Sequence, residues 1–146
     1  MYDLPRLSND LCAVLVRSRH GNAKLIEQAK RMSVGSEFVV ALEPIKGIEN
    51  RLLPAYLGAA IRQSEGGMHS GSLSMEIILF VAGTMNIGKA VEIAVARGDE
   101  FVLFASRTRY LNYLESRFNL VAMKKYDLGI SEASGQVAIT AIRDDK

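Results

Sequence analysis

The stretch Gly83-Thr84-Met85-Asn86-Ile87-Gly88-Lys89 places two glycines and a lysine at the spacing of a phosphate-cradling loop, directly after an apolar run. Such a loop holds phosphates on backbone N–H groups and the lysine. It also needs a Ser or Thr hydroxyl on Mg²⁺ and an aspartate at the end of a later strand. Here Ala90 stands in the hydroxyl position, and the later apolar run Phe101 to Ala105 is followed by Ser106. The sequence therefore predicts no nucleotide hydrolysis. A glycine-punctuated turn between two helices is preferred over the alternative, a free-standing P-loop-like nucleotide-binding site at Gly83 to Lys89. Metal binding has less to stand on, because Cys12, His20 and His69 are the only soft or borderline ligands and form no spaced pair. No serine carries the flanking glycines of a nucleophile elbow. The expectation is a chain that is not an enzyme, with no catalytic residue, no metal and no cofactor.

What remains is a set of basic side chains among predicted helices: Arg51, Arg62, Lys89, Arg97, Arg107, Arg109, Arg117, Lys124 and Lys125. Lys89 and Asn86 stand apart, since they fall at the start of a predicted helix, where free N–H groups and the helix dipole assist a phosphate contact. A net charge of +2 permits a nucleic-acid contact without arguing for one. With 7% aromatic residues and no tryptophan, the chain lacks the stacking platform of a general single-strand binder. Any nucleic-acid site must be small.

The elements that would position these residues follow from periodicity and punctuation. Cys12 to Val16 is an apolar run of strand length, and after Gly21-Asn22 the residues Leu25, Ile26, Ala29 and Met32 recur at helical spacing. Phe38 to Leu42 is a second strand, closed by Glu43-Pro44. A helical stripe covers Ile48 to Ser64, with Pro54 tolerated only in its first turn. The glycine-rich Gly66 to Gly71 is a loop. Met75 to Ala82 is apolar throughout, so periodicity cannot separate strand from helix there. Its flanks favour a helix, with Ser72 or Ser74 as cap, Glu76 at the positive end of the dipole and Gly83 as terminator.

A second helix is expected from about Asn86 to Ala96, with Ile87, Ala90, Val91, Ala94 and Val95 on one face. Phe101 to Ala105 is a third strand, Arg107 to Phe118 a helix, and Leu120 to Met123 a short apolar run. Near the end, Val137, Ile139 and Ile142 favour a strand by propensity. The 146 residues suffice for one domain, 1-146, with a core of its own. The lone Cys12 in an apolar run suits a reducing compartment. The N-terminus lacks the order of a signal peptide, and no apolar run reaches the ~18 residues of a membrane span. A cytoplasmic protein is expected.

The run Ser72-Leu73-Ser74-Met75-Glu76-Ile77-Ile78, followed by Gly83, Asn86-Ile87 and Ala90, resembles the signature segment of the KEOPS (EKC) accessory-subunit family, the TPRKB-like kinase-binding subunits. The order of the preceding strands and helices is similar too, and the resemblance extends to the Phe101 to Ala105 strand. It implies an α+β fold, a two-layer α/β sandwich with a small mixed or antiparallel sheet packed against several helices. It also implies a last helix where propensity reads Val137 to Ile142 as strand. The implied role is a non-catalytic subunit that binds the atypical kinase-like ATPase of KEOPS and supports threonylcarbamoyladenosine modification of tRNAs reading ANN codons.

Archaeal members engage the single-stranded CCA end of tRNA. That makes Arg62, Asn86, Lys89 and Arg97 tRNA-binding candidates, although this sequence has Met85-Asn86 where many archaeal relatives carry an Arg-Gln pair. A contact with the kinase needs exposed apolar surface, for which Met68, Met75, Met85 and Ile87 are the candidates, with a core position as the other reading of each.

Overall fold

Two buried strands form the middle of the sheet because their residues are apolar on both faces. In a computed structural model that describes residues 10–68 and 70–129, β1 (Cys12–Arg17) pairs antiparallel with β3 (Glu100–Ala105), Val14 opposite Leu103. On the outer side of β3 lies β2 (Val39–Leu42), with Val40 opposite Phe104. On the outer side of β1 lies β4 (Val121–Lys125), with a register shift between Leu15 and Val16. All pairings are antiparallel and the order is β2-β3-β1-β4. The readings for His69 and for Val137 to Ile142 lie outside the described residues.

Side chains alternate along each strand, so the sheet has two apolar faces. Ala13, Phe38, Val40, Leu42, Val102 and Phe104 belong to the larger core, under α2 (Leu52–Glu65), α3 (Leu73–Ala82) and α4 (Ile87–Ala94). Cys12, Val14, Val16, Val39, Leu103 and Ala105 belong to the smaller one, under α1 (Ala23–Met32) and α5 (Thr108–Arg117). The expected α+β sandwich is present, its small sheet antiparallel. The sheet and the α2–α4 layer account for the two expected layers, and α1 and α5 add a thinner cover on the other face. Phe38 sits at the centre of the larger core, 5.5 Å from the Tyr56 ring and edge-on to Phe104 at 5.0 Å.

Local chemistry explains the helix ends. A 3₁₀ turn at Ile48–Asn50 precedes α2, and Pro54 lies in the first turn of α2, where its missing N–H costs nothing. The Ser72 side chain accepts a hydrogen bond from the Met75 N–H at 3.1 Å, and Gly83 at φ 74° ends α3. Helix α3 is apolar nearly all round because it is buried nearly all round. It approaches α2 so closely that a Cβ on Gly58 would stand 2.7 Å from the Phe80 ring. Arg62, one turn along α2, covers the same ring at 4.2 Å.

A polar network ties the start of β2 to the end of β3. The buried Ser106 hydroxyl accepts from the Phe38 N–H at 3.0 Å and donates to Glu37 at 2.6 Å, while Arg107 reaches Glu37 at 3.2 Å. The Ser106 hydrogen bond, aided by the bond and charge of Arg107, holds the Glu37 carboxyl below its ordinary value of 4.5. The stabilisation is therefore fully present above 4.5 and is lost as pH falls through the depressed folded value. Thermal melts of Glu37→Gln should show a loss of about 1 kcal/mol or less at pH 7, small because the carboxylate is partly exposed. The difference should close on acidification below that folded value. A deficit that persists in acid would mean that packing, not charge, supplies the effect.

Candidate functional site

Helices α3 and α4 meet at a bend of 73° across the turn Gly83 to Asn86. The turn is built by caps: the Thr84 hydroxyl accepts from the Asn86 N–H at 3.1 Å, and the Asn86 Oδ1 accepts from the Lys89 N–H at 3.0 Å. The strand that a P-loop must follow is replaced by α3, so the nucleotide-binding alternative at Gly83 to Lys89 is withdrawn.

Helix α4 packs on α3 through small residues, burying Ala90 and Ala94. The close approach of its backbone lifts its larger side chains outward. Met85 is 50% exposed, Ile87 43% and Val91 39%. Ile87 and Val91 are one turn apart and share a face, an apolar stripe preceded by the exposed Met85 in the turn before the helix. In two respects α4 departs from the helical pattern of its sequence. Ile87 and Val91 do not share the buried face of Ala90 and Ala94, and the helix ends at Ala94 rather than running to Ala96. The cause is tertiary: Val95 bridges Leu42, the Ala96 N–H bonds to the Ala41 carbonyl at 3.1 Å and the Glu43 N–H to the Ala94 carbonyl at 2.8 Å. The strand edge outbids the last helical turn for these backbone groups.

Beside the stripe, a groove of about 350 Å³ runs between α1, the outer edge of β2, α3 and α4. Val91 and Val95 form one wall with Met75 and Ile78, and Ile26 faces them from α1. Of the four interface candidates, Ile87 is exposed on the stripe and Met85 in the turn before it. Met75 packs against the larger core and lines the groove, and Met68 is half-buried in the loop before α3.

The four tRNA-binding candidates do not form one basic patch. Arg62 is not a solvated surface cation: it reaches the fully buried Glu76 at 3.4 Å and the Met85 sulfur at 3.5 Å, and it stacks on Phe80. Asn86 has its oxygen engaged in the cap. Arg97, past the far end of α4, pairs with Glu43 at 3.3 Å and donates to the Glu92 carbonyl. Lys89 is exposed and has no ion-pair partner among the described residues.

Glu76 is the residue whose role the sequence reading understated. It is buried in the first turn of α3, accepts from the Ser70 N–H at 2.8 Å and the Ser70 hydroxyl at 2.5 Å, and meets Arg62. A single carboxylate inside an otherwise apolar run was the available signal. Arg51 plays a similar part, donating to the Val81 carbonyl at 2.9 Å near the end of α3.

Among the described residues no group of three His, Cys, Asp or Glu side chains gathers to hold a metal, and Cys12 is buried, its thiol pushed up by that burial. Among the same residues no single helix is long and apolar enough to cross a membrane. No family model matches the sequence, and no curated protein matches it either.

Proposed function

We propose that this chain is a non-catalytic binding subunit of the KEOPS complex, one that docks on the atypical kinase-like ATPase and supports threonylcarbamoyladenosine modification of tRNA in the cytoplasm. The observation that carries the reading is the apolar stripe Ile87 and Val91, preceded by Met85 and presented on the helix–turn–helix built by the segment whose residues resemble the family signature. Large apolar side chains gathered on one helix face, next to an apolar groove, suit a heteromeric contact with a desolvated centre. The tRNA contact rests on Lys89, since Arg62, Asn86 and Arg97 are engaged within the fold.

Expression of the tagged chain in a host that encodes a kinase-like ATPase of this kind should bring that partner through two purification steps at a defined stoichiometry. Its absence from the eluate would sink the reading. A separate comparison of tRNA with and without its terminal CCA tests the RNA role. Equal affinity for both would remove the CCA contact and leave the kinase contact standing.

A further inference from the structure

On the sheet face opposite α3 and α4, the turn between β1 and α1 and the end of α5 enclose an open cleft of about 880 Å³. Its rim carries the cations Lys24, Arg31 and Arg117 against one carboxylate, Glu27, which Arg31 already holds at 3.0 Å. Lys24 and Arg117 have no ion-pair partner among the described residues. The cleft therefore presents two cations, Lys24 and Arg117, that no ion pair among the described residues neutralises.

Both walls are arranged to keep it so. Arg117 lies over the ring of Phe118 at 5.3 Å, which restricts the guanidinium beside the cleft. The negative end of α5 is closed by its own backbone. Asn119 takes a left-handed φ of 54°, the Phe118 N–H bonds to the Leu114 carbonyl at 3.0 Å, and the Leu120 N–H to the Glu115 carbonyl at 2.9 Å. Across the cleft α1 has the reverse arrangement: the Asn22 side chain turns away to the Gly98 carbonyl at 3.0 Å, and no side chain caps the first-turn N–H groups. Ala23 and Lys24, which carry two of those groups, line the cleft.

We propose that this cleft binds a phosphate-bearing ligand of at least two negative charges, with Lys24 and Arg117 as its charge contacts and the start of α1 as an added donor. The site is separate from the α4 stripe and stands independently of the proposed role in KEOPS.

Inorganic pyrophosphate titrated into the full chain at constant ionic strength, with backbone amide resonances followed, tests it. Saturable shifts at Gly21, Ala23 and Lys24 are expected. The double variant Lys24→Gln, Arg117→Gln should bind at least tenfold more weakly, while Lys46→Gln, at an exposed position away from the cleft, should match the parent. Addition of tRNA to the pyrophosphate complex then separates the sources. Reversal of the same shifts assigns the phosphates to an RNA backbone, their persistence assigns them to a small phosphorylated molecule, and both support the cleft. Shifts that fail to saturate, or that survive unchanged in the double variant, overturn it. Should the double variant lose its dispersed spectrum, Lys24→Gln alone, at an exposed position, decides by whether it weakens binding.

Discussion

Replacing Ile87 and Val91 together by glutamate should weaken association with the kinase-like partner at least about a hundredfold while leaving the melting temperature almost unmoved. Two side chains at the centre of a helix-mediated contact each cost about 2 kcal/mol or more when lost, and a carboxylate in their place must be stripped of water without a designed partner. Folding should tolerate the change because both positions are already well exposed, and α4 is held on α3 by Ala90 and Ala94. Tyr113→Glu is the control: Tyr113 is 46% exposed on α5, on the other side of the sheet, and should bind as the parent does. Calorimetric titration of the purified partner gives the comparison. Equal weakening by the stripe and the control variants, or by neither, would separate the stripe from the interface.

Glu76→Ala should be the most destabilising single change of a polar residue among the described residues, at about 3–5 kcal/mol. The buried carboxylate satisfies the Ser70 N–H, the Ser70 hydroxyl and the Arg62 guanidinium at once. Removing it takes the carboxylate from the Ser70 N–H and leaves a half-buried cation facing apolar side chains, while the Ser70 hydroxyl keeps the Ser72 carbonyl at 3.1 Å. A fall in Tm on the order of 10 °C follows for a domain of this size. Glu76→Gln keeps one acceptor oxygen and should lose less. Equilibrium urea unfolding of the two variants measures the difference, and an alanine variant as stable as the parent would show that the loop before α3 is anchored by other means.

The parts of this architecture that local signals control were legible in the sequence. The stripe from Leu25 to Met32 marks α1, Pro54 allows only a first-turn position, and Ser72 with Gly83 brackets α3, deciding between helix and strand where periodicity was silent. Long-range competition was not legible. Val95 and Ala96 continue the helical pattern of α4, yet their backbone leaves the helix for the edge of β2, a partner far away in sequence. The face of α4 was misread for a related reason. Ala90 and Val91 are both apolar, and only the closeness of α3 favours the smaller side chain inside. Likewise Arg62 looked like other surface arginines until Glu76 and Phe80 came beside it in space. The site was therefore legible as a segment, while the identity of its outward side chains depended on packing.

The strand order β2-β3-β1-β4 has a consequence for the time the chain takes to fold. Among the described residues no two paired strands are joined by a short turn: Val14 must meet Leu103, Val40 must meet Phe104, and Arg17 must meet Val121. No hairpin is available as a nucleus, so every ladder first requires closure of a long loop. Such a topology places this domain toward the slow end of mixed helix-and-sheet folders. Because β3 lies late in the chain and occupies the middle of the sheet, a ribosome must release most of the domain before any strand can pair. The apolar runs of β1 and β2 remain without their partners during that interval, which is when the nascent chain would gain most from a chaperone.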